Sequence, residues 1–534
     1  MRLTNQEIKN RAQWEKAGIG VPQFDREAMI AATEKTPEWV HFGAGNIFRA
    51  FPAALAQNLL EKGLIKTGIV VAEGYDGEII DKCFAPFDNL CVMVTLKSDG
   101  TTDKKVIASI ASAYRIDREI SALTGIFTNP SLKMASFTIT EKGYGLVGKD
   151  GALLSDIAAD MKAGPKAPVS YLGKIAALCL QRFVHGSLPL TMVSMDNCSH
   201  NGDKLFDAMD AFAKAWVDNG LADKGFLAYV RDKNKLSFPW TMIDKITPRP
   251  DDSVRDMLAA AGMQDVQGIV TAKNTYVAPF VNAEEAQYLV VEDVFPNGKL
   301  PLEKAGVLFT QREVVDKVEK MKVCTCLNPL HTALAVFGCL LGYTRISEEL
   351  KNPGLVKLIE GIGYKEGLPV VVDPGILSPE KFINEVIKIR FPNPFMPDTP
   401  QRIATDTSQK IPVRYGETIK AYLASKTLNV NDLKLIPLVM AAWIRYLMGI
   451  DDSGNAFTPS PDPRLADLAP IVSGIKLGQK GPFAKILEPI LKDEKIFGVD
   501  LYKAGLAEKV LGLFEELIAG KGAVASVLKK YTGV

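Results

Sequence analysis

Two hydrophobic rhythms divide this chain. Up to about residue 295, short runs rich in Val and Ile alternate with helical patterns; beyond 300 the periodicity is almost entirely helical. A strand buried on both faces of a parallel sheet reads as an unbroken apolar run, and its parallel neighbour must be reached through a crossover helix. The runs "EWVHFG" (38–43), "TGIVVAE" (67–73), "MASFTIT" (134–140), "LTMVSMD" (190–196) and "YLVVED" (288–293) are expected to be strands of such a sheet. "AALAQNLLEKG" (53–63) and "SVRDMLAAAG" (253–262) read as helices between them. The fold class expected is therefore α/β over 1–295, followed by a mostly α-helical domain over 296–534.

At 534 residues the chain is too long for one ordinary core, which also favours two domains. Its 63 basic and 62 acidic side chains nearly cancel, so no nucleic-acid or membrane partner is expected, and a small molecule is the natural ligand. The charged start "MRLTNQEIKNRAQWEKAGIG" lacks the apolar stretch of a secretory signal. The seven cysteines are dispersed, without a C-x-x-C pair, and are expected to be reduced thiols in a cytoplasmic protein. The four histidines (41, 185, 200, 331) show no metal-ligand spacing, so no metal is expected.

In "VHFGAGNIFRAF" a strand runs into Gly43-Ala-Gly45 and a helix, an arrangement that lets a pyrophosphate approach backbone N–H groups. Gly43, Gly45, Asn46, Ile47, Phe48 and Arg49 are the candidate cofactor residues. The third glycine position is taken by Phe48, and Pro52 delays the regular helix. The second strand ends in Glu73, placed to accept from a ribose diol and to repel a 2′-phosphate, which favours NAD over NADP. Glu73 lies 30 residues after Gly43 rather than about 20, so a long helix and loop must intervene; a solvated strand-end acid is the alternative.

"KVCTCLNPLHTALAVFGCLLGY" (322–343) is almost wholly apolar yet carries Lys322, Asn328 and His331. Asn-Pro is a good helix start, with Asn328 as cap. Lys322 is expected on an extended apolar segment just upstream, where burial would lower its pKa and suit it to general-base work. The positive helix end would favour a developing alkoxide.

The spacing of lysine, asparagine and histidine ahead of an apolar helix resembles the signature of the polyol-specific long-chain dehydrogenase/reductases, the mannitol dehydrogenase family, which also contains fructuronate reductases. "HFGAGNIFRAF", "TITEKGY" (138–144), "DNCSHNGDKL" (196–205), "FPWTMIDKITP" (238–248) and "RIATDTSQKIP" (402–412) are similar to family segments, so the resemblance spans nearly the whole chain. It implies a Rossmann-like dinucleotide-binding domain over 1–295 ahead of the helical domain over 296–534, and metal-independent, NAD-dependent interconversion of a secondary alcohol and a ketone on an open-chain sugar, of the mannonate/fructuronate or mannitol/fructose type, by a monomer or small homo-oligomer. Lys322 would be the acid/base, Asn197 and Asn328 the oxyanion donors, and His331 a holder of a substrate hydroxyl. Asp244, Arg402 and Lys410 would orient the sugar chain, and Glu141 would offer a proton route. Two departures stand out: Phe48 at a family histidine, and five residues ("VCTCL") rather than four between Lys322 and Asn328. The extra residue requires a bulge, or else Lys320 or another lysine in the lysine's place. A non-catalytic nucleotide- or sugar-sensing homologue is the alternative function these departures suggest.

Overall fold

The computed structural model describes residues 1–534, which form two compact units: 1–97 with 101–316, and 98–100 with 317–534. The first is built on six strands, β1 (Trp39–Phe42), β2 (Ile69–Glu73), β3 (Ile110–Arg115), β4 (Met134–Phe137), β5 (Leu190–Ser194) and β6 (Leu236–Ser237). All neighbours are parallel, in the order β3-β2-β1-β4-β5-β6. That is the doubly wound dinucleotide-binding order, whose reversal point lies between β1 and β4.

Alternation along each strand serves two cores. Trp39, Ile69, Val71, Met134 and Val193 face one apolar layer, and Val40, Phe42, Val70, Ala72, Ala135 and Phe137 face the other. Because both faces are covered, the strands carry the continuous apolar runs read in the sequence. β1 leads into helix α1 (Asn46–Ala50), which breaks at Phe51 before α2 (Pro52–Glu61), as Pro52 required. Helix α3 (Tyr171–Val184) packs on α4 (Asn201–Asp218), which in turn packs against β5.

One expected strand lies elsewhere. Tyr288–Glu292 pairs antiparallel with Thr241–Asp244 and parallel with Leu308–Thr310 in a separate three-stranded sheet. Its apolar run reflects burial on both faces, which does not specify the sheet to which a strand belongs. β3, buried at its start and half-buried from Ser112 to Arg115, was not anticipated, nor was a four-stranded sheet containing Cys91–Leu96, Thr102–Ile107 and Phe280–Glu284.

The second unit is helical. A helix runs from Arg312 to Leu341; its most apolar window is long enough to cross a bilayer, but 72% of that window is buried inside the chain, as in a core helix. It comprises α5 (Arg312–Met321), a π turn (Lys322–Cys326) and α6 (Asn328–Leu341), and α6 packs on α7 (Leu435–Tyr446). Three further π segments follow, at Gly361–Gly367, Val386–Arg390 and Pro412–Gly416.

Candidate active site

The glycine loop after β1 separates two uses of glycine. Gly43 has φ +107°, and a Cβ there would lie 2.3 Å from the Thr138 carbonyl oxygen at the end of β4, so the fold itself requires glycine. Gly45 has ordinary extended torsions (φ −72°, ψ −177°), and a Cβ would meet nothing within 4 Å. Packing does not demand a glycine at 45; the open space beside the backbone, at the sheet's reversal point, fits the close approach of a pyrophosphate.

The side chains of this loop face inward. Phe48 is fully buried and stacks on His41, with ring centroids 4.3 Å apart. His41 lies between Ser136 Oγ at 2.6 Å and Thr138 Oγ1 at 2.9 Å, and burial pushes its pKa down to about 3, so it is neutral. Arg49 is also fully buried, donating to the Ala278 carbonyl at 2.7 Å and to Asn46 Oδ1 at 2.9 Å. Phe48 and Arg49 therefore brace the loop, and only their backbone remains available to a cofactor. Glu73 is buried, too: Oε2 accepts from Ala44 N–H at 2.8 Å, and Oε1 from Tyr75 N–H at 2.7 Å and Asp76 N–H at 3.0 Å. Its carboxylate ties the ends of β1 and β2 together, leaving room on Oε2 for one more donor.

At the end of β5 the segment "DNCSHNG" sorts its polar residues. Asp196 accepts from Ile139 and Thr140 N–H, each at 2.9 Å, and from Tyr144 O–H at 2.7 Å; burial raises its pKa. Asn201, fully buried, donates to the Asp196 carbonyl at 2.9 Å and accepts from Thr241 N–H at 3.0 Å. A Cβ on Gly202 would lie 2.6 Å from the Phe238 and Pro239 carbonyls, so this segment and "FPWT" are locked together. Held between these anchors, Asn197 is exposed and its carboxamide makes no hydrogen bond. Asp244 is buried at the end of the strand that follows. Glu141 lies on the surface, 3.2 Å from Lys204 Nζ.

In the second unit, Lys322 opens the π turn. The Leu327 N–H reaches the Lys322 carbonyl at 3.1 Å, a bond across five residues. The expected extended segment is thus helical, and the extra residue of "VCTCL" is absorbed as one wide turn. Lys322 is 5% exposed, whereas Lys320 is exposed. Asn328 does not cap: Leu327 occupies the N-cap position (φ −126°, ψ −63°), without any side-chain bond to the helix. Because the chain arrives already helical, Asn-Pro marks a junction inside a long helix rather than a free positive end, and the Asn328 carboxamide is left unbonded.

Around the first turn of α6 stand Arg390, Arg402, Lys410 and Arg414. His331 Nε2 is buried without a hydrogen bond, 3.6 Å from Asp398 Oδ2. Burial, then the four cations, push its pKa down to about 3, so the pair is a neutral imidazole beside a carboxylate, not an ion pair. Arg402 is exposed and paired with Asp398. Lys410 Nζ donates to the carbonyls of Ile403, at 3.1 Å, and Thr405; burial, with Arg414 nearby, holds its pKa down to about 8.

The chain matches the Mannitol dehydrogenase Rossmann domain over 37–304 and the Mannitol dehydrogenase C-terminal domain over 314–518. It belongs to the mannitol dehydrogenase family. Members of the group include a D-mannonate oxidoreductase of Thermotoga maritima, 51% identical over 100% of this chain and 99% of its own. A mannitol 2-dehydrogenase of Pyrenophora tritici-repentis is 30% identical over 96% of this chain and 84% of its own. Among solved structures, a Pseudomonas fluorescens mannitol 2-dehydrogenase ternary complex with NAD and D-mannitol is 26% identical, with TM-score 0.68 and 99% of both chains covered. A D-sorbitol dehydrogenase in substrate-free form gives TM-score 0.77 at 25% identity, covering 96% and 98%.

Within this mannitol dehydrogenase family member, sequence reasoning missed Asp196 and Asn201, which hold Asn197 in place. It also missed Arg390, Asp398 and Arg414 around His331. Arg414 had a legible signal: it lies four residues after Lys410, one helical turn on.

Proposed function

We propose that the chain is an NAD-dependent, metal-independent oxidoreductase that interconverts D-mannonate and D-fructuronate, a secondary alcohol and a ketone on an open-chain sugar acid. The observation that carries this reading is one strip of helix: buried Lys322 on its π turn, then Asn328 with an unengaged carboxamide, then neutral His331. These supply a base, a hydrogen-bond donor and a hydroxyl-binding group in the order the chemistry needs. The 51% identity to a D-mannonate oxidoreductase favours the sugar acid over mannitol.

In the oxidative direction Lys322 Nζ takes the proton of the reacting hydroxyl. The Asn328 carboxamide N–H donates to that oxygen as negative charge grows, and Asn197 of the amino-terminal unit is assigned the same role. His331, neutral, holds a neighbouring hydroxyl, while Asp244, Arg402 and Lys410 orient the remaining chain. Glu141 provides the route for the lysine's proton. Gly43, Gly45, Asn46 and Ile47, with the backbone of Phe48 and Arg49, form the phosphate-facing loop, and Glu73 favours NAD over NADP. Bound NAD supplies the acceptor for the hydride.

The departures that suggested a sensor have structural accounts, since the extra residue forms the π turn and Phe48 stacks on His41. A substrate panel tests the reading: absorbance at 340 nm is followed with D-mannonate, D-mannitol, D-sorbitol and the corresponding ketones. Turnover fastest with the mannonate/fructuronate pair and unaffected by chelator is expected. NADH binding without turnover of any sugar would instead identify a sensor.

A further inference from the structure

Arg414 is a half-buried cation without a counter-charge. It occupies the π segment Pro412–Gly416, which packs against the Lys322–Cys326 turn. Its Nη1 donates to Thr332 Oγ1 and, at 3.4 Å, to the Asn328 carbonyl, and no carboxylate lies within ion-pair range. Nε and Nη2 make no hydrogen bond, yet neither is sealed from solvent. Removing a guanidinium from water with no acid beside it is unfavourable. The first turn of α6 is already held by Tyr415, whose O–H donates to the Pro329 carbonyl at 2.7 Å. Lys410, one turn earlier, likewise has only carbonyl partners, whereas Arg402 is neutralised by Asp398. Arg414 and Lys410, neither with an acid in ion-pair range, both act on His331, and Arg414 also touches the Asn328 carbonyl. Their field contributes to the depressed pKa of His331, in which Arg414 is the largest charge effect after burial.

We propose that Arg414 is the specificity-determining residue of this site: its Nε–Nη2 edge receives the carboxylate of a sugar acid and sets the preference for aldonates and uronates over uncharged polyols and ketoses. The assignment rests on the reading of the site given above. A guanidinium edge matches a carboxylate through two parallel N–H bonds, a geometry that a lysine cannot offer. A substrate lacking the carboxylate leaves the cation unpaired, which is how a polar site rejects an analogue strongly.

The test compares wild type, Arg414→Lys and Arg414→Gln with D-fructuronate and D-fructose, following NADH at 340 nm, alongside calorimetric titration with D-mannonate and D-mannitol. In Arg414→Gln the KM for fructuronate is expected to rise about tenfold or more, the order of one lost charge-assisted bond. The acid-to-neutral preference should fall by a similar factor with kcat little changed, and Arg414→Lys should lie between. Loss in equal proportion on acid and neutral substrates, or an unchanged acid KM, overturns the assignment and marks Arg414 as a structural tie. Should the glutamine variant not fold, Arg414→Lys decides alone, since it keeps the charge and loses the two-bond edge. If wild type reduces no fructuronate, the proposed function fails; the Kd for D-mannonate still judges Arg414, tenfold weakening in the variant supporting it and an unchanged value refuting it.

Discussion

Leu327 and Lys322 are joined by a 3.1 Å backbone hydrogen bond that spans five residues, and this single wide turn sets where the lysine side chain leaves the helix. π bulges lengthen a helix by one residue without breaking it, and they recur at functional sites because they redirect a side chain. With Lys322 as the base, Lys322→Met is expected to lower kcat by about 10²- to 10⁴-fold. Steady-state assays with the best substrate, run beside circular dichroism, decide the point; turnover at the wild-type level would remove Lys322 from the reaction.

Asn328 offers a cleaner separation of structure from chemistry. Loss of a true helix cap costs about 1 kcal/mol, which lowers Tm by about 2–4 °C in a domain of this size. Because Asn328 forms no cap bond, Asn328→Ala should shift Tm by less than this while reducing kcat about 10²- to 10³-fold, as expected for one lost oxyanion donor. A clear drop in Tm with turnover preserved would restore the capping account.

The two glycines of the β1 loop should part company. Gly45→Ala is expected to fold normally and to weaken NADH binding, measured by fluorescence titration, because the methyl group enters space that nothing in the chain fills. Gly43→Ala should destabilise the amino-terminal unit, since its Cβ would press on the Thr138 carbonyl at a positive φ. Unaltered NADH affinity in Gly45→Ala would place the pyrophosphate elsewhere.

Glu349 supplies a pH dependence outside the site. Neither carboxyl oxygen has a hydrogen-bond partner, the residue is fully buried against Gly338, and desolvation raises its pKa to about 9. The folded state therefore keeps the proton that the unfolded chain releases near its ordinary value of 4.5. Its contribution to stability is complete below that value and declines as pH rises towards 9. Melting curves of wild type and Glu349→Gln should lie closest at pH 4.5 and diverge towards pH 9, the variant becoming the more stable. A constant separation across that range would show that Glu349 does not titrate in this way.

How much of this was legible follows from which interactions are local. Period-two alternation against two cores and continuous apolar runs made β1, β2, β4 and β5 readable, and the same logic misplaced Tyr288–Glu292, because burial on both faces does not name a sheet. For the site, the sequence nominated residue types in local order, Lys322, Asn328, His331, Arg402 and Lys410, with one residue more than the family spacing between Lys322 and Asn328. It was not legible that Glu73 and Asp196 spend their carboxylates on backbone N–H groups, or that Phe48 and Arg49 point inward. Those are pairings between segments distant in the chain.

The sequence by itself determined the division into a parallel α/β unit and a helical unit and the membership of a family, and it nominated the polar residues proposed for the chemistry. Local periodicity and local spacing are enough for that. Only the tertiary structure decided how each of those residues is held. A wide turn turned an apparent misfit of one residue into a buried lysine, and a helix that never stopped left Asn328 without a cap to make. Long-range packing left Arg414 a cation with no acid to meet, because counter-charges are allotted by contacts between segments and not by order along the chain.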